Sequence, residues 1–321
     1  MKNDSDNLFD IDFLARLERL HLIAKRISGG AVGGTRRSKR LGDGLEFADH
    51  RDYAPGDDTR FIDWPYYARM EKLLIRLFHE HNESTVVVGL DCSGSMAPGG
   101  IYEKFDYARR TAAALTYVAM GALDRVSLAA FGGDMDAGAA FHAGRNRGQI
   151  LGVLDYLLGL SAGGATNLVG NIKRLSQFVR GRHNSGSVAP GGGDSAGTIL
   201  LISDLLDCRD DLDGALKQLQ ISDLSGRRDV TVIHLFSPSD ACGEALVKGA
   251  MMFQHAETDR RIPLWLTDEV IDAYRGKWRE FQDYCRKVCL SRGAVYVSAP
   301  TDIPFEQLIL TTLKRAGVLS P

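Results

Sequence analysis

Three hydrophobic patterns follow one another along this chain. Between residues 8 and 27, Leu14, Leu17, Leu20, Ile23 and Ile27 recur at helical intervals behind Asp10 and Asp12, which predicts an amphipathic helix. Between 42 and 83 the periodicity gives way to a dense mixture of Arg, Asp, Gly and aromatic residues. From Thr85 onward short apolar runs alternate with helical stripes. Strands are expected at 85–91, 125–131, near 139–142, at 198–204, 229–236 and 294–298. Helices are expected near 102–121, 145–159, 167–181, 210–220, 268–290 and 304–316. Such alternation predicts an α/β fold with a mostly parallel, Rossmann-like sheet flanked by helices. Residues 237–266 break the pattern: two extended runs around Glu257-Thr258-Asp259-Arg260 read as an inserted hairpin. Paired with extended parts of the 42–83 block, it would build a small β-rich subdomain. The expected division is residues 1–84 and 85–321, and the glycine-rich stretch 185–197 reads as a surface loop.

Two of the strand runs end in aspartate. Asp91 follows Val86-Val87-Val88-Gly89-Leu90 and opens Asp91-Cys92-Ser93-Gly94-Ser95, and Asp204 closes Ile199-Leu200-Leu201-Ile202-Ser203. Thr166 lies between them in a glycine-flanked loop, Gly163-Gly164-Ala165-Thr166-Asn167. Strand ends in an open α/β sheet face one crevice, where such folds bind ligands. Asp91, Ser93, Ser95, Thr166 and Asp204 are therefore candidates to meet at one point. Five oxygens with two negative charges suit a small hard ion such as Mg²⁺, with Mn²⁺ not distinguished from it. Hydroxyl-rich ligation leaves such an ion electrophilic enough to take one more carboxylate from outside. The plain competing reading makes the hydroxyls helix caps beside ordinary acidic loops.

Asp-x-Ser-x-Ser, a loop Thr and a strand-terminal Asp, in that order, resemble the metal-ion-dependent adhesion site of von Willebrand factor A domains. The resemblance implies that Ser93, Ser95 and sometimes Thr166 touch the metal directly, while Asp91 and Asp204 often act through water.

The 42–83 block carries Gly42-Asp43-Gly44-Leu45-Glu46-Phe47, Arg51-Asp52-Tyr53, Pro55-Gly56-Asp57-Asp58-Thr59-Arg60, Ile62-Asp63-Trp64 and Ala68-Arg69. This resembles the signature of the domain-of-unknown-function 58 family, in which such a segment precedes a von Willebrand A-like domain. Pro55-Gly56-Asp57 reads as a tight turn, with Tyr53 and Trp64 as apolar anchors. Arg51, Arg60 and Arg69 are expected to pair with Asp57, Asp58 and Asp63 in a partly buried ionic network. The block serves either as a clasp for the N-terminal segment, the preferred reading, or as a binding platform. In that family, genes often neighbour those of MoxR-type AAA+ ATPases, which implies an adaptor or chaperone-like role beside such an ATPase.

Composition narrows the classes. With 39 Lys and Arg against 41 Asp and Glu, the formal net charge is -2, which argues against a general polyanion binder. The basic run Thr35-Arg36-Arg37-Ser38-Lys39-Arg40 has no aromatic platform and reads as a solvated loop, so no nucleic-acid partner is expected. No long uninterrupted apolar stretch is present, and Met1-Lys2-Asn3-Asp4-Ser5-Asp6 is too polar to begin a secretory signal, so the expectation is a cytoplasmic protein. Five cysteines, odd in number and irregularly spaced, fit reduced thiols, with Cys285 and Cys289 as core residues.

Enzyme readings are weaker. Gly193-Asp194-Ser195-Ala196-Gly197 matches a nucleophile-elbow pattern, but a glycine run precedes it and a strand follows, the reverse of the required context. Phosphate-transfer aspartates resemble Asp-x-Asp, and Ser93 stands where the second carboxylate belongs. Cys92 lies between the proposed ligands and points the other way along the extended chain. The expected function is a non-catalytic interaction module that captures a partner's Asp or Glu through a metal. Two alternatives stay open: a metal-dependent hydrolase or phosphatase using the same cluster, and a structural metal with partner binding on the 42–83 block.

Overall fold

A computed structural model of the chain describes residues 8–23, 26–27, 41–79, 85–97, 104–122, 124–132, 140–144, 147–164, 169–172, 175–176, 197–206, 211–220, 228–243, 246–254 and 261–320. Two compact units emerge. One is Gly33–Glu83, and the other joins Met1–Val32 to Ser84–Pro321.

The chain opens with α1 (Ile11–Ile23), where Phe13, Leu17 and Leu20 form the buried stripe. Ile23 is half exposed, so the stripe ends earlier than the sequence pattern predicts. Ile27, expected as the last helical residue, instead belongs to β1 (Arg26–Ile27). Its apolar side chain is buried in an antiparallel pairing with the last strand of the chain.

The smaller unit pairs β2 (Leu41–Asp52) antiparallel with β3 (Leu74–His79), with two register shifts. Between them the Asp57 N–H closes a turn onto the Ala54 carbonyl at 3.0 Å. The Asp58 side chain caps a 3₁₀ turn at Thr59–Phe61. Asp63 then caps α2 (Trp64–Met70) by accepting the Tyr66 N–H at 2.9 Å, with Pro65 in the first turn where no amide is missed.

Downstream come β4 (Thr85–Asp91), α3 (Lys104–Gly121), β5 (Arg125–Phe131), β6 (Ala140–Gly144), α4 (Ile150–Leu158), β7 (Thr198–Ser203), α5 (Leu212–Gln220), β8 (Asp229–Phe236) and α6 (Pro238–Cys242). Then follow β9 (Gly249–Gln254), β10 (Arg261–Leu266), α7 (Asp268–Ser291), β11 (Val295–Pro300), α8 (Phe305–Gln307) and β12 (Leu319–Ser320). Six of these strands form one sheet in the order β11-β8-β7-β4-β5-β6. Every pairing in it is parallel except β6 against β5.

Successive strand side chains point to opposite faces, and two cores result. Val86, Val88 and Leu90 of β4 pack with α1, α3 and α4, while Val87 joins Leu201 of β7, α5, and Trp278, Phe281, Cys285 and Cys289 of α7. Buried on both faces, the central strands read as continuous apolar runs rather than alternating ones. Small residues such as Ala108, Ala112 and Ala119, all fully buried, line α3.

Most expected elements are present within a few residues. The helix expected near 167–181 is described as helical only at 169–172 and 175–176. The 185–197 loop lies almost wholly outside the described residues. A short helix, α6, stands where the sequence reading placed only the start of an insertion. The closing helix contains a π-helical segment, Leu308–Leu313, invisible to periodicity counting. β9 and β10 form a two-stranded sheet, and so do β2 and β3. The β2–β3 ladder belongs to the smaller unit and the β9–β10 ladder to the larger one. Among the described residues no helix is long and apolar enough to cross a membrane.

His234 on β8 is fully buried, its Nδ1 2.7 Å from the Tyr296 hydroxyl and its ring among Phe236, Trp278 and Phe281. Burial pulls its pKa from 6.5 down to about 4, and the nearby Lys104 charge adds to the effect. Between those values the unfolded chain binds the proton and the folded one does not. The contribution is therefore complete above pH 6.5 and is lost as pH falls toward 4, by on the order of 3 kcal/mol. Denaturant unfolding at stepped pH should show a shallower acid loss for His234→Gln than for the wild type; identical slopes would contradict this.

Candidate functional site

The chain runs from β4 out to β5 and β6 and then crosses back to β7 on the other side, so the order reverses beside β4. Ligand crevices form at such reversals. Asp91 ends β4 there and Asp204 follows β7, both almost fully buried.

Asp91 uses both its oxygens on protein donors. Its Oδ1 accepts the Ser93 N–H at 2.9 Å, and its Oδ2 accepts the Ser203 hydroxyl at 2.5 Å. The loop after Asp91 is stitched down on two sides. Cys92 N–H donates to the Phe131 carbonyl at 2.7 Å, Gly94 N–H to the Gly164 carbonyl at 3.1 Å, and Gly163 N–H to the Cys92 carbonyl at 3.0 Å. Thus held, Ser93 and Ser95 place their hydroxyl oxygens 3.1 Å apart, and Ser95 donates to Asp204 Oδ1 at 3.1 Å. The second oxygen of Asp204, Oδ2, accepts Lys104 Nζ at 3.0 Å; the same ammonium lies 3.3 Å from Asp240 Oδ2.

Neighbouring ligands of an octahedral ion with bonds of about 2.0–2.1 Å stand about 2.9 Å apart. Ser95 Oγ stands at close to that spacing from both Ser93 Oγ and Asp204 Oδ1, 3.1 Å in each case. Burial, reinforced by the charge of Asp204, pushes the Asp91 pKa up to about 6 despite its hydrogen bonds from Ser203 and Ser93. Two buried carboxylates repelling one another in this way form an environment that favours a cation. Lys104 supplies one positive charge: burial opposes its ionisation, but Asp204 and Asp240 outweigh that and raise its pKa. Among the described residues no three His, Cys, Asp or Glu gather as a metal group, so a cation here would rest on hydroxyls with two carboxylates.

The structure brings together four of the five expected oxygen donors. Thr166 lies outside the described residues, although the segment leading to it, through Gly164, is bonded to the Ser93–Ser95 loop. Cys92 is buried and inert: desolvation and the Asp91 charge push its thiol up to about 12. Sequence reasoning missed Ser203, Lys104, Asp240 and Gly132. A lysine in the first turn of α3 runs against the helix dipole, and that was the available sign for Lys104. Gly132 has φ +97, and a Cβ there would stand 2.9 Å from both Asp91 Oδ1 and the Ser93 amide. Leu205, directly after Asp204, also has positive φ, 57°, and its N–H is held by Ser203 Oγ at 3.0 Å.

In the smaller unit the expected ionic network resolves into local pairs. Arg51 meets Asp57 at 2.7 Å, and Arg60 meets Asp58 at 2.6 Å. Asp63 pairs with His50 at 2.9 Å rather than with Arg51, Arg60 or Arg69, and Arg69 donates to the Pro65 carbonyl. The two Arg–Asp pairs are short in sequence and at least partly exposed, so each is worth little individually. Tyr53 is half-buried, but Trp64 is 56% exposed and is no interior anchor.

A fold with a mostly parallel six-stranded sheet, a buried acidic pair at its reversal point and a separate Arg- and Asp-rich unit sets the context for the relatives. The chain belongs to the family described as Protein of unknown function DUF58, matched over residues 49–282. It is similar to uncharacterized protein Rv1480 of Mycobacterium tuberculosis (strain ATCC 25618 / H37Rv) and to uncharacterized protein Mb1516 of Mycobacterium bovis (strain ATCC BAA-935 / AF2122/97). Each is 33% identical over 121 residues, 36% of this chain and 38% of the relative, so the match spans well under half of those proteins. Among solved structures, the crystal structure of conserved hypothetical protein BatB from Bacteroides thetaiotaomicron aligns over 73% of this chain and 98% of that one, with 16% identity and a TM-score of 0.40.

Gly132→Ala tests how tightly the loop is built. The substitution combines a left-handed backbone with a clash against the Ser93 amide, so unfolding free energy should drop by about 1–3 kcal/mol. Unchanged denaturant midpoints would show that the loop has slack.

Proposed function

We propose that the cluster of Asp91, Ser93, Ser95 and Asp204 is a divalent-cation site of the von Willebrand factor A type, completed by Thr166, and that the chain is a non-catalytic, metal-dependent protein-interaction module. The observation that carries this reading is the spacing of Ser93 Oγ, Ser95 Oγ and Asp204 Oδ1, each step 3.1 Å. Mg²⁺ or Mn²⁺ bound there would supply an open coordination position able to accept a carboxylate. Ser93 and Ser95 present the hydroxyl oxygens, Asp204 offers Oδ1, and Asp91 holds the loop in shape through Ser93 and Ser203. The ligand this chemistry favours is an exposed Asp or Glu on another protein, and a MoxR-type AAA+ ATPase or its client is the first candidate from the family resemblance.

The hydrolase or phosphatase alternative draws less support. Both Asp91 oxygens already accept hydrogen bonds, from the Ser93 amide and the Ser203 hydroxyl, which lowers their nucleophilicity, and burial pushes the Cys92 thiol up to about 12. A panel of phosphoesters with Mg²⁺ or Mn²⁺ separates the two readings. One observation favours a second binding surface: Trp64, Tyr67 and Met70, at three-residue spacing on α2, are all exposed. Trp64→Ala should leave stability within about 0.5 kcal/mol of wild type, and loss of partner binding at unchanged metal affinity would assign the contact to α2.

Calorimetric titration of Mg²⁺ and Mn²⁺ into metal-stripped protein is the test. Saturable binding is expected for wild type. Ser95→Ala, which spares the Lys104–Asp204 pair, should weaken it about tenfold or more while the fold persists, and Asp204→Ala should abolish it. Wild-type affinity in both variants would sink the reading.

A further inference from the structure

Lys104 is the feature that the cation site itself does not require. It is the first residue of α3, its side chain is 10% exposed, and its Nζ bridges Asp204 Oδ2 at 3.0 Å and Asp240 Oδ2 at 3.3 Å. An ammonium at this place divides the two oxygens of Asp204 between separate tasks. Oδ2 is committed to Lys104, while Oδ1 stays with Ser95 and the Leu206 N–H. Asp240 is anchored in turn: its Oδ2 accepts the Ser237 N–H at 3.0 Å, and its backbone carbonyl accepts the Tyr274 hydroxyl at 2.6 Å. The ammonium is thus held between Asp204, just after β7, and Asp240 of α6, which Tyr274 of α7 ties down in turn.

We propose that Lys104 is a specificity-determining residue: a fixed internal cation that weakens the hold of the acidic pair on a divalent metal and, by the same charge, strengthens the loaded site's attraction for an anionic ligand. The inference rests on the cation-site reading above. The physics is Coulombic and has opposite signs for the two ligands. A positive charge one carboxylate away repels an incoming divalent ion and attracts an incoming carboxylate. In the partly buried setting here that interaction is screened only in part. A lysine with a merely structural role, tying α3 to α6, would not produce opposite effects, because loosening the site weakens both ligands together.

The test uses the full chain and Mn²⁺, with water-proton relaxation enhancement reporting both metal binding and the displacement of metal-bound water by acetate as the carboxylate probe. In Lys104→Gln, Mn²⁺ should bind about tenfold or more tighter, acetate should bind several-fold weaker, and the melting-temperature gain on adding Mn²⁺ should grow. Lys104→Arg, which keeps the charge, should stay near wild type for both ligands. Asp240→Asn keeps Lys104 and removes an offsetting anion at a partly exposed position, so it gives an independent reading even if Lys104→Gln fails to fold. There Mn²⁺ should weaken and acetate should tighten. Parallel weakening of both ligands in Lys104→Gln, or no change of Mn²⁺ affinity in either charge variant, would overturn the proposal. Wild-type protein that binds no Mn²⁺ at all would overturn the cation site and this inference with it, whereas normal wild-type binding with unmoved variants overturns this inference alone.

Discussion

Two carboxylates buried within electrostatic reach of each other, Asp91 and Asp204, set the terms for everything around the reversal point of the sheet. Charge out of water is costly unless it is hydrogen-bonded or neutralised. Asp91 meets that demand with hydrogen bonds from the Ser93 amide and the Ser203 hydroxyl. Asp204 meets it with Lys104 on one oxygen and Ser95 on the other. The arrangement needs a strand end, a tight loop and a helix start in register, and the parallel sheet supplies all three at one edge. Gly132, which alone leaves room for Asp91 and the Ser93 amide, belongs to the same demand.

The fold was largely legible because its strands are buried on both faces. Val86–Leu90 and Ile199–Ile202 can be read as central strands without knowing their neighbours. What escaped the sequence depends on contacts between segments far apart in the chain. Ile27 looks like the next helical position, yet it is taken into β1 by its pairing with Leu319. The π-helical turn at Leu308–Leu313 leaves the apolar pattern almost unchanged, so periodicity does not reveal it.

The candidate site divides in the same way. Asp91, Ser93, Ser95 and Asp204 lie in short local patterns at strand ends, where the direction of the last side chain follows from the fold class. What gives Ser203, Lys104 and Asp240 their place in the site is contact between distant segments, Ser203 with Asp91, Lys104 with Asp204 and with Asp240, and their local roles in a turn and a cap do not reveal it. The Arg- and Asp-rich block misled for the opposite reason. Its composition looks like a network, but its aspartates are spent locally, Asp57 on a turn, Asp58 on a 3₁₀ turn and Asp63 on the cap of α2. Trp64, which its apolar character assigns to the interior, stands exposed on that short helix.

Whether the oxygen cluster holds a divalent ion is decided most directly by anomalous diffraction from crystals soaked in Mn²⁺, recorded on either side of the manganese absorption edge. The account predicts one strong peak within coordination distance of Ser93 Oγ and Ser95 Oγ, on the Oδ1 side of Asp204, with Lys104 still on Oδ2. An ordered, fully occupied crystal with no peak there, or with Lys104 drawn into the cluster in its place, would contradict it.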